Sequence, residues 1–201
     1  MKIIWFTQRV MLKEEYNERW NTSDQRISEF IHWCGYLPIA VPANINILRE
    51  LAVGVKPSGI VLTGGNDLVK YGGNAPERDS TERWLIDYAK ERKIPVLGVC
   101  RGMQVILDYY GCSLNSVDGH VAKYHELLGS FLGTHVNSFH SFGAMIDDVK
   151  RLPVQIKAYT DDGVVEAVSV NGEKIEGIMW HPEREMPFRE MDKMLFQTLF
   201  R

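Results

Sequence analysis

The stretch Ile94-Pro95-Val96-Leu97-Gly98-Val99-Cys100-Arg101-Gly102-Met103-Gln104 constrains the fold more than any other in the chain. Its apolar run, Val96 to Val99, predicts a buried strand bounded in front by Pro95. Met103 to Tyr110 predicts a helix directly behind it, and Gly-x-Cys-x-Gly stands between the two. A strand that turns at once into a helix leaves its turn residue strained and exposed, and flanking glycines let the backbone turn without a Cβ clash. This is the nucleophile-elbow logic of Gly-x-Ser-x-Gly with sulfur in place of oxygen. A thiol at a helix N-terminus meets free N–H groups and the helix dipole, which favour the thiolate. The backbone N–H of Arg101 is then poised to bind an oxyanion. A lone cysteine more often packs as a small hydrophobe, so the elbow becomes a reactive site only with a base beside it.

A second stretch supplies that base. Ile175-Glu176-Gly177-Ile178-Met179-Trp180-His181-Pro182-Glu183 reads as a strand ending in His-x-Glu. In an extended chain, side chains two apart share a face, and Pro182 biases His181 toward extended geometry. Glu183 can then hold the His181 tautomer, and His181 can serve Cys100 as base, the generalised triad of nucleophile, base and orienter. His135 and His140 are alternative bases, but neither has a carboxylate two residues away.

Gly98-Val99-Cys100-Arg101-Gly102-Met103-Gln104 together with His181-Pro182-Glu183 resembles the class I glutamine amidotransferase superfamily. The Cys-Arg-Gly-x-Gln form, with Leu62-Thr63-Gly64-Gly65-Asn66-Asp67 upstream, is similar to its γ-glutamyl hydrolase (peptidase C26-like) branch. The resemblance runs over nearly the whole chain, with the motifs in the expected order. It implies a flavodoxin-like, doubly wound α/β fold: a mostly parallel sheet with helices on both faces and an added antiparallel piece. It implies Cys100, His181 and Glu183 as the triad and the amides of Gly65 and Arg101 as the oxyanion hole. Gln104 would help hold the glutamyl group, Gly64 and Asn66 are further substrate-binding candidates, and Asn66 and Asp67 would lie near the pocket mouth. Gly133 to His140 resembles the Val-Asn-Ser-x-His segment that borders the glutamyl pocket in that branch, which makes Asn137, Ser138 and His140 substrate-binding candidates. Ser141-Phe142 depart from the His-Gln common there, which leaves the leaving amine open. The implied chemistry is hydrolysis of a γ-glutamyl amide through a thioester, either with a substituted amine departing or with ammonia passed to a separate synthetase.

Length and charge bound the alternatives. The chain has 201 residues, which suits one α/β domain over 1–201 with an ample core. A net charge of −3 argues against nucleic acid or a membrane surface as partner. Three cysteines, Cys34, Cys100 and Cys112, form no disulfide framework and point to a reducing cytoplasm. The apolar run Ile3 to Phe6 is too short for a signal segment, and no stretch reaches membrane-spanning length. The expected partner is a small-molecule γ-glutamyl amide, and the sequence leaves a homodimer open. No metal or organic cofactor is expected: His120, His125, His135 and His140 match no compact ligand spacing.

In chain order, Lys2 to Phe6 predicts a strand, and Thr7 to Asn21 a long polar loop. Arg9 and Arg19 in that loop are candidates to meet a diphosphate on the leaving group. Ile27, Phe30, Ile31 and Cys34 fall on one helical face, with Ser23 or Asp24 as cap and Gly35 as stop. Strands follow at Leu37 to Val41 and Gly59 to Thr63, with a short helix from Asn44 to Leu51 between them. Tyr71 to Arg78 reads as an irregular loop. Asp79 and Glu82 read as a capping arrangement for a helix from Ser80 to Lys93, and Arg78 and Asp79 read as structural. Val154 to Tyr159, Val164 to Val170 and Lys174 to Trp180 predict strands, the last two as a hairpin that delivers His181. A final helix presents Met191, Met194, Leu195 and Leu199 as a core face.

Overall fold

A computed structural model describes residues 1–201. Strands β1 (Ile3–Thr7), β4 (Leu37–Val41), β5 (Gly59–Leu62), β6 (Val96–Val99) and β14 (Ile175–Ile178) run parallel in one sheet, in the order β4-β1-β5-β6-β14. The sheet continues antiparallel through β13 (Val165–Val170), β12 (Val154–Tyr159) and β9 (Leu128–Gly129). Helices α1 (Gln25–Trp33), α2 (Ile45–Gly54), α3 (Pro76–Arg92), α4 (Arg101–Tyr109), α5 (Ile146–Val149) and α6 (Glu190–Leu199) complete the chain. The expected doubly wound architecture with an antiparallel addition is therefore present.

Two cores explain the unbroken apolar strands. Trp5, Ile60, Leu62 and Val96 point to one face, where they meet Leu48, Leu85, Ile86 and Met103 of α2, α3 and α4. Ile4, Phe6, Val61, Leu97 and Val99 alternate onto the other face, against Phe30 and Ile31 of α1 and Phe196 of α6. A strand covered on both faces has no polar side to show. Asp24 caps α1 by accepting from the Arg26 N–H at 3.0 Å, and Asn44 caps α2 by accepting from Asn46 and Ile47.

Three expectations fail here for identifiable reasons. Residues 9–22 are a hairpin, β2 (Arg9–Lys13) with β3 (Glu18–Thr22), and not a loop. All of β3 except Thr22 is exposed, so no apolar alternation marks it. Helix α3 starts at Pro76, which occupies the first helical position where its missing N–H costs nothing. Asp79 and Glu82 are thus inside the helix, and neither caps it. On α6 the buried apolar face is Phe196 and Leu199, whereas Met194 is exposed. A smaller hairpin, β8 (Val121–Glu126) with β10 (His135–Phe139), stands beside the sheet, with short β7 (Asn115–Ser116) and β11 (Phe142–Gly143) paired next to it. No helix is long and apolar enough to cross a membrane.

Candidate active site

The elbow is present, and its strain sits on the cysteine itself. Cys100 lies between β6 and α4 with φ 52° and ψ −108°, a region that L-residues seldom enter. The flanking glycines are needed for a different reason from the one expected. Neither has positive φ. A Cβ on Gly98 would stand 2.5 Å from the Gly102 carbonyl carbon, and one on Gly102 would stand 2.0 Å from the Leu62 oxygen. They let α4 sit directly on β5 and β6. Cys100 is thereby the residue before the first turn of α4, whose first N–H groups lack helical partners.

Strand β14 pairs with β6 in register, Ile178 opposite Val99, so His181 and Cys100 leave the same sheet edge. His181 Nδ1 lies 2.7 Å from Glu183 Oε1, and both residues are buried. Because an ionised carboxylate only accepts, Nδ1 carries the proton and Nε2 keeps the lone pair whenever the ring is neutral. Nε2 is buried without a hydrogen bond of normal geometry. Burial alone would lower the ring's pKa; the neighbouring Cys100 and then Glu183 outweigh it and hold it up at about 9. Gly64 closes the other side of the ring: a Cβ there would stand 2.7 Å from His181 Cε1 and 3.6 Å from Cys100 Cβ. The arrangement holds a buried thiol beside a buried imidazole that Glu183 orients.

Arg78 fixes the Gly-Gly loop. Its guanidinium donates to the backbone carbonyls of Thr63 at 2.7 Å, Gly64 at 3.1 Å and Gly65. Across a trans peptide the C=O and the next N–H point in opposite directions. Holding the Gly64 oxygen against Arg78 therefore turns the Gly65 N–H the other way, away from the guanidinium. Arg78 is itself held by Glu82 at 2.9 Å, and Glu82 also bonds Thr7 and the Arg101 side chain. Arg101 further pairs with Asp79. One buried network thus joins the Gly64-Gly65 loop, α3 and the first residue of α4. Arg78 and Glu82 were not among the expected site residues. Their trace in the sequence is that they share a helical stripe with Leu85, Ile86 and Ala89, where a charged pair must be buried and matched.

The remaining expected residues separate into two groups. Gly65, Asn66, Cys100, Arg101, Gln104 and His140 line one cleft of about 180 Å³, together with Asp67, Phe139 and Ser141. Gln104 Nε2 donates to the Phe142 carbonyl at 2.8 Å. Asn66 also clasps the hairpin: its side chain accepts from the Val10 N–H and donates to the Val10 carbonyl, each at 2.9 Å. Asn137 and Ser138 do not line the cleft. Asn137 grips the His181 backbone in both directions, each bond 2.9 Å, and so positions the histidine. Ser138 Oγ donates to the His120 carbonyl at 2.8 Å. Both point into the protein because the strand beneath them is buried there. Arg9 packs over the loop, with its Nε 3.1 Å from where a Gly65 Cβ would stand. Arg19 is instead committed to Glu77 at 2.5 Å and to the Asn74 carbonyl at 2.7 Å, an exposed tether for the hairpin. His135 is exposed, while His120, His125 and His140 gather around Glu166, outside the triad.

The fold and the cysteine elbow define a protein of the glutamine amidotransferase-like class. A glutamine amidotransferase from Thermotoga maritima superposes with a TM-score of 0.65 at 16% identity, covering 98% of this chain and 81% of its own. At the sequence level the chain belongs to the Peptidase C26 family, whose profile matches residues 3–183. A γ-glutamyl-CDP-amidate hydrolase of Campylobacter jejuni is 34% identical over 151 residues, 74% of this chain and 71% of that protein. A γ-glutamyl-γ-aminobutyrate hydrolase of Escherichia coli O157:H7 is 32% identical over 216 residues, 87% of this chain and 83% of that protein. These relatives support a hydrolase.

Proposed function

We propose that this protein hydrolyses a γ-glutamyl amide through a Cys100 thioester. The observation that carries the reading is the pairing of β14 with β6, which sets an oriented His181 beside the elbow cysteine in the cleft. The Cys100 thiolate attacks the γ-carbonyl. The Gly65 and Arg101 amides take the developing oxyanion; one such donor is typically worth about 2.7–4 kcal/mol of transition-state stabilisation. His181, oriented by Glu183, protonates the departing nitrogen. It then removes a proton from the water that cleaves the thioester and releases L-glutamate. Gln104 and His140 form the wall against which the glutamyl group is placed.

The preferred substrate in this proposal is γ-glutamyl-CDP-amidate, giving L-glutamate and cytidine diphosphoramidate, a donor for phosphoramidate modification of capsule. Support comes from the Campylobacter relative and from Arg9, a cation packed over the Gly65 loop that borders the cleft. Arg19 is withdrawn from that role by Glu77. The test compares kcat/KM for glutamate release from γ-glutamyl-CDP-amidate, γ-glutamyl-GABA and glutamine by the purified chain. The nucleotide conjugate is expected to be fastest, with Cys100→Ala inactive on all three. Preference for γ-glutamyl-GABA would overturn the substrate assignment. Turnover retained by Cys100→Ala would overturn the mechanism.

A further inference from the structure

A second cluster of buried ionisable groups lies apart from the triad. His120 precedes β8, His140 follows β10, and Glu166 belongs to β13 of the central sheet. All three are buried, and their potential ligand atoms lie within 4.8 Å of one another. Glu166 Oε1 stands 3.2 Å from His140 Nε2 and 3.5 Å from His120 Nδ1.

The surroundings fix both imidazole tautomers. His140 Nδ1 faces the Phe142 carbonyl at 3.1 Å, and a carbonyl only accepts, so that nitrogen carries the proton. His120 Nε2 faces Asp162 Oδ2 at 2.9 Å, and an ionised carboxylate only accepts, so that nitrogen carries the proton. In their neutral forms the rings therefore turn two lone pairs, Nε2 of His140 and Nδ1 of His120, onto the same buried carboxylate. Lone pairs and a carboxylate repel, so the space between them calls for positive charge. The ion-pair partners of Glu166 are these two histidines, with no Lys or Arg among them. His120 Nδ1 and Glu166 Oε2 are also buried without hydrogen-bond partners.

We propose that His120 Nδ1, His140 Nε2 and Glu166 bind one divalent transition-metal ion of the zinc class. With metal–nitrogen and metal–oxygen bonds of about 2.0–2.2 Å, tetrahedral ligand atoms sit about 3.3 Å apart, close to the two observed carboxylate–imidazole separations. Asp162 and the Phe142 carbonyl then play the outer role that orients metal-bound imidazoles. The fourth position is left to water. The ion would pin the open end of the β8–β10 hairpin, where its two strands enter and leave, to the sheet. His140 also lines the catalytic cleft, so the pin would set one wall of that cleft. The competing occupant is protons, with one or both histidines as imidazolium.

The test uses untagged, chelator-treated full-length protein carrying Cys100→Ala, which removes the thiolate as a rival ligand. Zn²⁺ is titrated calorimetrically and Co²⁺ spectroscopically. The expected result is one ion bound per chain, intense visible Co²⁺ bands of a low-coordinate nitrogen–oxygen site, and a raised Tm. Glu166→Gln should abolish binding. Asp162→Asn, at a half-exposed residue that folding tolerates, should weaken it roughly 10–100-fold. Absence of Zn²⁺ binding by the Cys100→Ala protein would overturn the proposal and leave protons in the site. So would binding unchanged by Asp162→Asn together with His140→Ala, which would put the ion elsewhere.

Discussion

Cys100 holds a backbone conformation that costs a non-glycine residue on the order of 1–3 kcal/mol, and only the packing around it keeps it there. This separates two substitutions that both remove the sulfur. Cys100→Ala keeps the strained φ, whereas Cys100→Gly relaxes it. The glycine variant should be more stable than the alanine variant by about 1 kcal/mol, both being inactive. Thermal or denaturant unfolding of the pair checks this, and an alanine variant at least as stable as the glycine one would contradict it. At this scale the placement of Cys100 at a strand–helix turn and of Glu183 against His181 was legible in the sequence, because Gly-x-Cys-x-Gly and His-x-Glu each carry local geometry in their spacing. The work of the glycines was not legible. Their hydrogens fill gaps between elements distant in sequence, and no local pattern records that contact.

Among the elements, α3 does more for the site than its sequence suggests. It contributes no group to the cleft, yet Arg78 on it holds three successive carbonyls of the Gly64-Gly65 loop. A lysine in its place keeps a positive charge near Glu82 but has one point of contact where the guanidinium has a fork. Arg78→Lys should therefore fold and bind substrate with nearly unchanged KM while kcat falls roughly 10²–10³-fold, the scale of a lost oxyanion donor. Arg78→Met should instead destabilise the protein by about 3–5 kcal/mol, because it strips a buried carboxylate of a partner. Steady-state kinetics alongside unfolding curves distinguish the two effects. Helix α3 was legible as a helix but not as a clamp, since its start at Pro76 and its target both lie outside the window that periodicity reads. The β2–β3 hairpin was illegible for the opposite reason: with both faces largely wet, it carries no alternation. Asn137 and Ser138 were legible as a motif, but which way their side chains turn depends on a sheet neighbour far along the chain.

At the scale of the whole molecule, buried charges set how stability responds to pH. Burial would raise Glu82, but Arg101 and Arg78 lower it below its ordinary 4.5. Its stabilisation is therefore present above that value and is lost as pH falls. His181 is raised from 6.5 to about 9, so its stabilisation is full below 6.5 and is lost as pH rises through 9. Tm should be highest between about pH 4.5 and 6.5 and decline on either side. The alkaline decline should shrink in Cys100→Ala, which removes the neighbour that does most to lift His181. Calorimetry in chelator-containing buffers checks both arms, and a Tm still rising from pH 6.5 to 9 would count against the raised His181 pKa. The doubly wound, mostly parallel fold class followed from the alternation of apolar runs and helical stripes, whereas the order of the strands in the sheet comes from the structure alone.

The hairpin of residues 9–22 is tied to this frame by the Asn66 clasp to Val10, the Arg19 bonds to Glu77 and the Asn74 carbonyl, one bond from the Ala43 N–H to Asn21, and Arg9 packed over the Gly65 loop. None of them passes through Cys100, His181 or Glu183. The hairpin is thus a cassette, inserted between the first strand and the first helix, that touches the cleft only through the Gly65-Asn66 wall. Exchanging it should alter which departing group is accepted while Cys100, His181 and Glu183 keep their places.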